Sequence, residues 1–119
     1  SEDSHDLDYF EYYHVPSSLD STVLTILEEG DLFDEFENEI IAGADKMSLD
    51  NGVLIKFGPP WFKLNISQKK FLVNEIYDLL ESSDYGDLRL FNQNNVLVAR
   101  NSFMGGGMIF LDEQDVSWD

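Results

Sequence analysis

The stretch Gln68–Ser82, which reads QKKFLVNEIYDLLES, carries the clearest structural signal in this chain. Its apolar residues recur at spacings of one, four and three, which is the pattern of one helical face. That face consists of Phe71, Leu72, Ile76, Leu79 and Leu80. Ser67 directly precedes the stretch and is predicted to be its N-cap. The sequence therefore predicts an amphipathic helix whose apolar side needs a partner layer.

Short apolar and β-branched runs flank this helix on both sides and predict strands. Gly58-Pro59-Pro60 separates the two runs before it, and Asn51-Gly52 marks a turn. After it, Asn92–Asn95 suits a hairpin turn, and Gly105–Gly107 separates the last two runs. The predicted strands are Val53–Phe57, Trp61–Ile66, Asp87–Phe91, Val96–Arg100 and Met108–Leu111.

The N-terminal part predicts one strand and two helices. The aromatic run Tyr9–Val15 is typical of a strand. A first helix is predicted over Leu19–Glu29, with Ser17 or Ser18 as its cap and Gly30 at its end. A second is predicted over Leu32–Ala42, with Asp31 as its cap and Gly43 at its end.

The order of these elements predicts a single acidic α+β domain over residues 1–119. We expect about three helices packed on a mainly antiparallel sheet of five to six short strands. Residues 1–8 and 112–119 are polar, acidic ends that we expect to be flexible.

Charge is distributed very unevenly along the chain. The sequence has 24 Asp and Glu against 7 Lys and Arg, a formal net charge of −17. Fifteen of the acids lie in the first 50 residues, where Lys46 is the one basic residue. Such a field repels nucleic acid and anionic membranes and attracts basic protein surfaces. The composition therefore predicts a basic protein partner, with no direct nucleic-acid or membrane binding.

The acidic residues of the predicted second helix indicate where this partner would bind. Like charges at i,i+4 destabilise a helix, yet no Lys is interleaved among them. Exposed Tyr beside carboxylates is also typical of interfaces. The predicted partner-binding residues are Glu28, Glu29, Asp31, Asp34, Glu35, Glu37, Glu39, Tyr12 and Tyr13.

Enzymatic and metal sites receive little support from the motifs. Asp34 with Glu37, and Glu35 with Glu39, would share a helical face and could hold a cation, but no Ca²⁺-loop motif is present. A set of His14, Asp20 and Ser17 lacks the G-x-S-x-G motif of serine hydrolases. We predict no catalytic residues, no metal site and no cofactor.

The function expected from these patterns is that of an acidic inhibitor or immunity-type protein. It would block the basic substrate-binding surface of a nucleic-acid-handling protein, such as a nuclease toxin or a DNA-targeting defence enzyme, by nucleic-acid mimicry. One alternative is an adaptor or assembly subunit that binds through an aromatic patch; another is a small carboxylate- or metal-dependent hydrolase. The absence of cysteine fits a cytoplasmic location.

Overall fold

The computed structural model describes residues 15–16, 18–47, 51–102 and 106–111. Within these ranges the chain forms three α-helices, two short 3₁₀-helices and one sheet. The helices are α1 (Ser21–Glu29), α2 (Leu32–Glu35), α3 (Ile66–Glu81), η1 (Asn38–Ile40) and η2 (Pro59–Lys63). The strands are β1 (Ile41–Lys46), β2 (Gly52–Phe57), β3 (Asp87–Phe91), β4 (Leu97–Asn101) and β5 (Met108–Phe110). These elements confirm the predicted α+β class.

The five strands form one sheet in the order β1-β2-β3-β4-β5. β2 and β3 pair in parallel, and every other neighbouring pair is antiparallel, as expected for a mainly antiparallel sheet. A parallel pair needs a long crossover connection, which η2 and α3 supply between β2 and β3. None of the described helices is long and apolar enough to cross a membrane.

Buried side chains from helices and strands form one apolar cluster. It contains Val23 and Leu27 of α1, Ile76 and Leu80 of α3, and the central strand residues. Those strand residues include Val53, Ile55, Phe57, Leu88, Leu90, Val98 and Ala99. Leu54, Arg89 and Phe91 are buried too but lie outside this cluster, as expected for alternate residues of β2 and β3.

The helix α3 confirms the prediction for Gln68–Ser82 and begins two residues earlier, at Ile66. Asn65, rather than Ser67, is the N-cap. Its side-chain Oδ1 accepts from the Gln68 backbone N, and Gln68 Oε1 accepts from the Asn65 backbone N, each at 2.8 Å. The two bonds together satisfy the backbone N–H groups of Asn65 and Gln68. A cap at Ser67 would leave these two donors without these partners.

The predicted strand Trp61–Ile66 is wrong. Pro59 and Pro60 occupy the first positions of η2, where their fixed φ angle is compatible with a helical turn. Trp61 is fully buried and stacks on Phe57, with ring centroids 4.2 Å apart and an interplanar angle of 4°. The Lys69 ammonium lies 4.9 Å from the centre of the Trp61 ring, so this lysine has a structural contact within the fold.

The predicted second helix, Leu32–Ala42, begins where expected but is wrong after its first turn. The helix α2 ends at Glu35, because Phe36 is extended at φ −128° and ψ 152°. After η1, residues from Ile41 onward form β1 and pair with β2. Gly43 therefore does not end a helix but lies within a strand. Asp31 precedes α2 in the left-handed region at φ 64° and makes no side-chain cap bond.

The first helix starts two residues later than predicted, at Ser21. Asp20 is its cap, since its Oδ2 accepts from the Val23 backbone N at 3.0 Å. The preceding residues cannot be helical because Leu19 forms a parallel bridge with Ala44 of β1. Gly30 ends α1, as predicted, and a Cβ there would collide with the Leu79 side chain.

Several predicted segments fall on residues that the structure does not describe. The strand Tyr9–Val15 is one of them, apart from Val15 itself. The ends 1–8 and 112–119 and the first glycine of Gly105–Gly107 also lie outside the described residues. The two remaining glycines of that turn have positive φ angles of 77° and 81°.

Candidate functional site

A groove lies where α1, α2, η1 and β1 come together, and it has a volume of about 290 Å³. Its apolar lining comes from the residue before α1, from α1, from α2 and from β1, all within residues 19–41. These residues are Leu19, Leu24, Phe33 and Ile41. Its polar lining consists of Glu28, Asp31, Asp34 and Asn38. We call this feature the acidic groove.

The apolar side of the acidic groove is positioned by the core. In α1, Val23 and Leu27 are fully buried, which places Leu24 and Glu28, four residues apart, on an adjacent helical face. Leu19 is held beside them by its bridge to β1 and is 45% exposed. An exposed leucine in a groove is apolar surface that a partner can bury.

The three carboxylates lie on one continuous turn between α1 and α2. Glu28 is in the last turn of α1, Asp31 connects the helices, and Asp34 is in α2. Two backbone bonds hold this turn: the Asp31 N donates to the Glu28 carbonyl at 3.1 Å, and the Asp34 N donates to the Asp31 carbonyl at 3.2 Å. All three side chains are exposed, so their charges face solvent from a backbone of defined shape.

The local field in the acidic groove is strongly negative. No Lys or Arg occurs before Lys46, and none lines the groove. Within the part of the chain that the structure describes, none of its three carboxylates is ion-paired. The C-terminal end of α1 adds to this field, because the helix dipole is negative there and its last turn has no basic residue.

The structure separates the predicted partner-binding residues into groups. Glu28, Asp31 and Asp34 line the acidic groove. Glu35 lines a different depression, of about 310 Å³, with Phe36, Ser67, Gln68 and Phe71. The exposed residues Glu29, Glu37 and Glu39 line neither of the two, and Tyr12 and Tyr13 lie outside the described residues.

The predicted pairs of carboxylates on a common helix are wrong. Asp34 and Glu35 belong to α2, whereas Glu37 and Glu39 follow the extended residue Phe36. The described residues contain no group of three or more His, Asp or Glu side chains placed to hold a metal ion. Of the triad-like set, Asp20 caps α1, and His14 and Ser17 lie outside the described residues.

Sequence patterns had not indicated the apolar part of the acidic groove. The sequence pattern places Leu19 and Leu24 within the predicted first helix and Ile41 on the apolar face of the predicted second helix. Their convergence depends on the pairing of β1 with β2 and on the bridge between Leu19 and Ala44, both of which are tertiary contacts. The carboxylates alone were visible in the sequence.

A second groove, of about 500 Å³, lies between α3 and β5. It is lined by Ile66, Lys70, Val73, Asn74, Met108 and Phe110. The Lys70 ammonium lies 5.9 Å from the centre of the Phe110 ring. This groove therefore has a basic side chain in its lining, which the acidic groove lacks.

No family model matches this chain, and neither a curated protein nor a solved structure shows a significant match.

Proposed function

We propose that this protein is an acidic, protein-binding inhibitor of the immunity type, acting in the cytoplasm. Its target would be a nucleic-acid-handling protein, such as a nuclease toxin or a DNA-targeting defence enzyme, whose basic substrate-binding surface it blocks. The observation that carries the proposal is the acidic groove, where Glu28, Asp31 and Asp34 have no ion-pair partner among the described residues.

The mechanism would be steric occlusion after electrostatically steered encounter. A net charge of −17 accelerates association with a basic surface, and the acceleration falls as salt rises. Apolar surface at Leu19 and Phe33 would then be buried, which slows dissociation. Charge would set the on-rate, and the groove would set the position of the partner.

Nucleic-acid mimicry remains part of the proposal, although the described acidic residues do not form the regular helical row of carboxylates that would support it. The acidic residues after Phe36 leave the helix, so their spacing follows a turn and a short 3₁₀-helix. Occlusion of a basic surface needs only negative charge and a fitting shape. We therefore place the emphasis on docking at the groove.

A second candidate function, an adaptor or assembly subunit, is favoured by exposed apolar side chains outside the acidic groove. Phe62, Ile66 and Phe71, from η2 and the first turns of α3, are each about half exposed. Aromatic residues are enriched in the centres of interfaces. Binding through these side chains would be weakened by Phe62→Ala and would be insensitive to salt.

The test is capture of partners from the source lysate at low salt, with elution by rising salt and identification by mass spectrometry. The bait is compared with the variant Glu28→Gln/Asp31→Asn/Asp34→Asn. We expect a basic nuclease or DNA-binding protein that elutes at moderate salt, is lost with the variant, and no longer binds nucleic acid when the wild-type protein is added.

The matched control is Asp78→Asn/Glu81→Gln/Asp84→Asn, at exposed sites of α3 and its exit loop. It removes the same number of charges from the same residue types, and Asp84, like Asp31, has a positive φ angle. Equal effects of the two variants would show that only net charge matters. A captured partner that is neutral and resists salt would contradict the inhibitor proposal and favour the adaptor.

A further inference from the structure

We propose that the acidic groove is a receptor for an arginine side chain of a basic peptide segment, with lysine a poor substitute. The inference rests on the proposed function, because it names the residue type by which the basic partner would be recognised. It starts from the apolar side chains and from the carboxylates that together line the groove.

The apolar lining favours a cation with an extended hydrocarbon stem. Leu19, Leu24 and Ile41 form part of the apolar lining. Arginine and lysine both bury their methylene stems along such surface while their charged heads remain near water. The lining therefore explains why a basic residue would enter the groove rather than pair with carboxylates at the surface.

The polar side chains of the groove and Phe33 distinguish arginine from lysine. The guanidinium group is planar, carries five donors and binds carboxylates through two parallel hydrogen bonds. Glu28, Asp31 and Asp34 supply carboxylate acceptors, and Asn38 supplies an amide oxygen. Phe33 is the aromatic residue of the lining, and a guanidinium stacks on an aromatic ring better than a strongly hydrated ammonium does.

The position of the groove adds a further preference for a cation. It includes Glu28 in the last turn of α1, where the helix dipole is negative and no basic residue of the same turn compensates it. No Lys or Arg of the chain lines the groove. The partner would supply the missing positive charge.

Two peptide probes test the inference on the full chain. One is the acetylated and amidated hexapeptide Gly-Leu-Arg-Leu-Arg-Gly, and the other is its lysine twin, Gly-Leu-Lys-Leu-Lys-Gly. Calorimetry should show about three- to tenfold tighter binding of the arginine peptide, within the range of a favourable cation–aromatic contact. Amide NMR shifts should change at Leu24, Asp34 and Asn38.

Two variants separate the contributions. Phe33→Leu keeps an apolar side chain and should remove most of the preference for arginine over lysine. Asp34→Asn should weaken both peptides, and Asp78→Asn on α3 should leave both affinities unchanged. Thermal unfolding of each variant checks that the fold is retained.

The outcomes distinguish this inference from the proposed function. Equal affinity for the two peptides, or NMR shifts confined to other faces, would overturn the arginine receptor and leave an inhibitor that needs only positive charge. If the capture experiment yields no salt-sensitive basic partner, the proposed function fails, and the arginine receptor fails with it as a recognition site.

Discussion

Arg89 on β3 donates a hydrogen bond from Nη1 to Oδ1 of Asn101 on β4 over 3.0 Å. The same Oδ1 accepts from the Leu88 backbone N, also at 3.0 Å. Arg89 is only 4% exposed, and its Nη1 also donates to Oδ1 of Asp87 at 2.7 Å and to the Leu88 carbonyl at 2.9 Å. Asn101 therefore joins two strands by satisfying a backbone donor and a buried cation together.

We expect Asn101→Ala to lower the free energy of unfolding by about 2 kcal/mol. The change removes the acceptor of the Leu88 backbone N–H and one of the acceptors of the buried Arg89 guanidinium. Asp87→Asn is the milder change. It retains an acceptor oxygen near Arg89, and Asp87 is partly exposed, so the loss should be below about 1 kcal/mol. Urea unfolding of both variants measures the difference. A larger effect of Asp87→Asn would show that charge, rather than the shared acceptor, holds this junction.

The N-terminus of α3 provides a direct comparison between the predicted cap and the observed one. Asn65→Ala removes the bond to the Gln68 N, and caps of this kind are worth about 1 kcal/mol. Ser67→Ala, at the predicted cap, should change stability by less than about 0.5 kcal/mol because Ser67 is exposed within the first turn. Chemical denaturation measures the stability of both variants. Equal destabilisation by Asn65→Ala and Ser67→Ala would contradict the observed capping box.

The edge of the sheet at β1 is covered by the chain that precedes α1. The Ala44 N donates to the Ser18 carbonyl, and the Asp20 N donates to the Ala44 carbonyl, both at 2.9 Å. A Cβ at Gly43 would collide with the Pro16 carbonyl oxygen, so only glycine permits this close approach.

We therefore expect Gly43→Ala to destabilise the fold by about 1–3 kcal/mol through overpacking. Hydrogen exchange should accelerate at the amides of Asp20 and Ala44 more than in α3. Ala42→Ser, at an exposed site of the same strand, is the control and should leave both amides protected. Unchanged exchange in Gly43→Ala would mean that Pro16 and residues 18–20 are not held by this contact.

The elements that could be predicted are those whose sequence pattern fits only one type of secondary structure. The helix α3 and the strands β2 and β3 have long apolar stripes or β-rich runs, and they lie where expected. The prediction of a helix is wrong over residues 36–42, because Ile40 and Ile41 fit the spacing of a helical face and also suit a strand. Pairing with β2 decided the outcome, which is a tertiary effect that propensity does not contain.

The candidate site was predictable only in its charges. Lack of basic residues before Lys46 indicated an acidic surface, and Glu28, Asp31 and Asp34 are exposed as expected. Which carboxylates share a groove depends on where α2 ends and on the bridge from Leu19, so a list of acidic residues could not rank them.

The separation of the carboxylates leads to a last prediction, which compares two pairs of equal charge. Glu28→Gln/Asp34→Asn alters the acidic groove, whereas Glu35→Gln/Glu39→Gln alters residues outside it. Both variants lose two charges, so long-range steering should fall equally and association rates should change together. Dissociation should accelerate mainly in the first variant, because short-range contacts determine how long a complex persists. Surface plasmon resonance against a captured basic partner, or against the arginine peptide, measures both rates. If the second pair accelerated dissociation as much as the first, docking would not be centred on the groove.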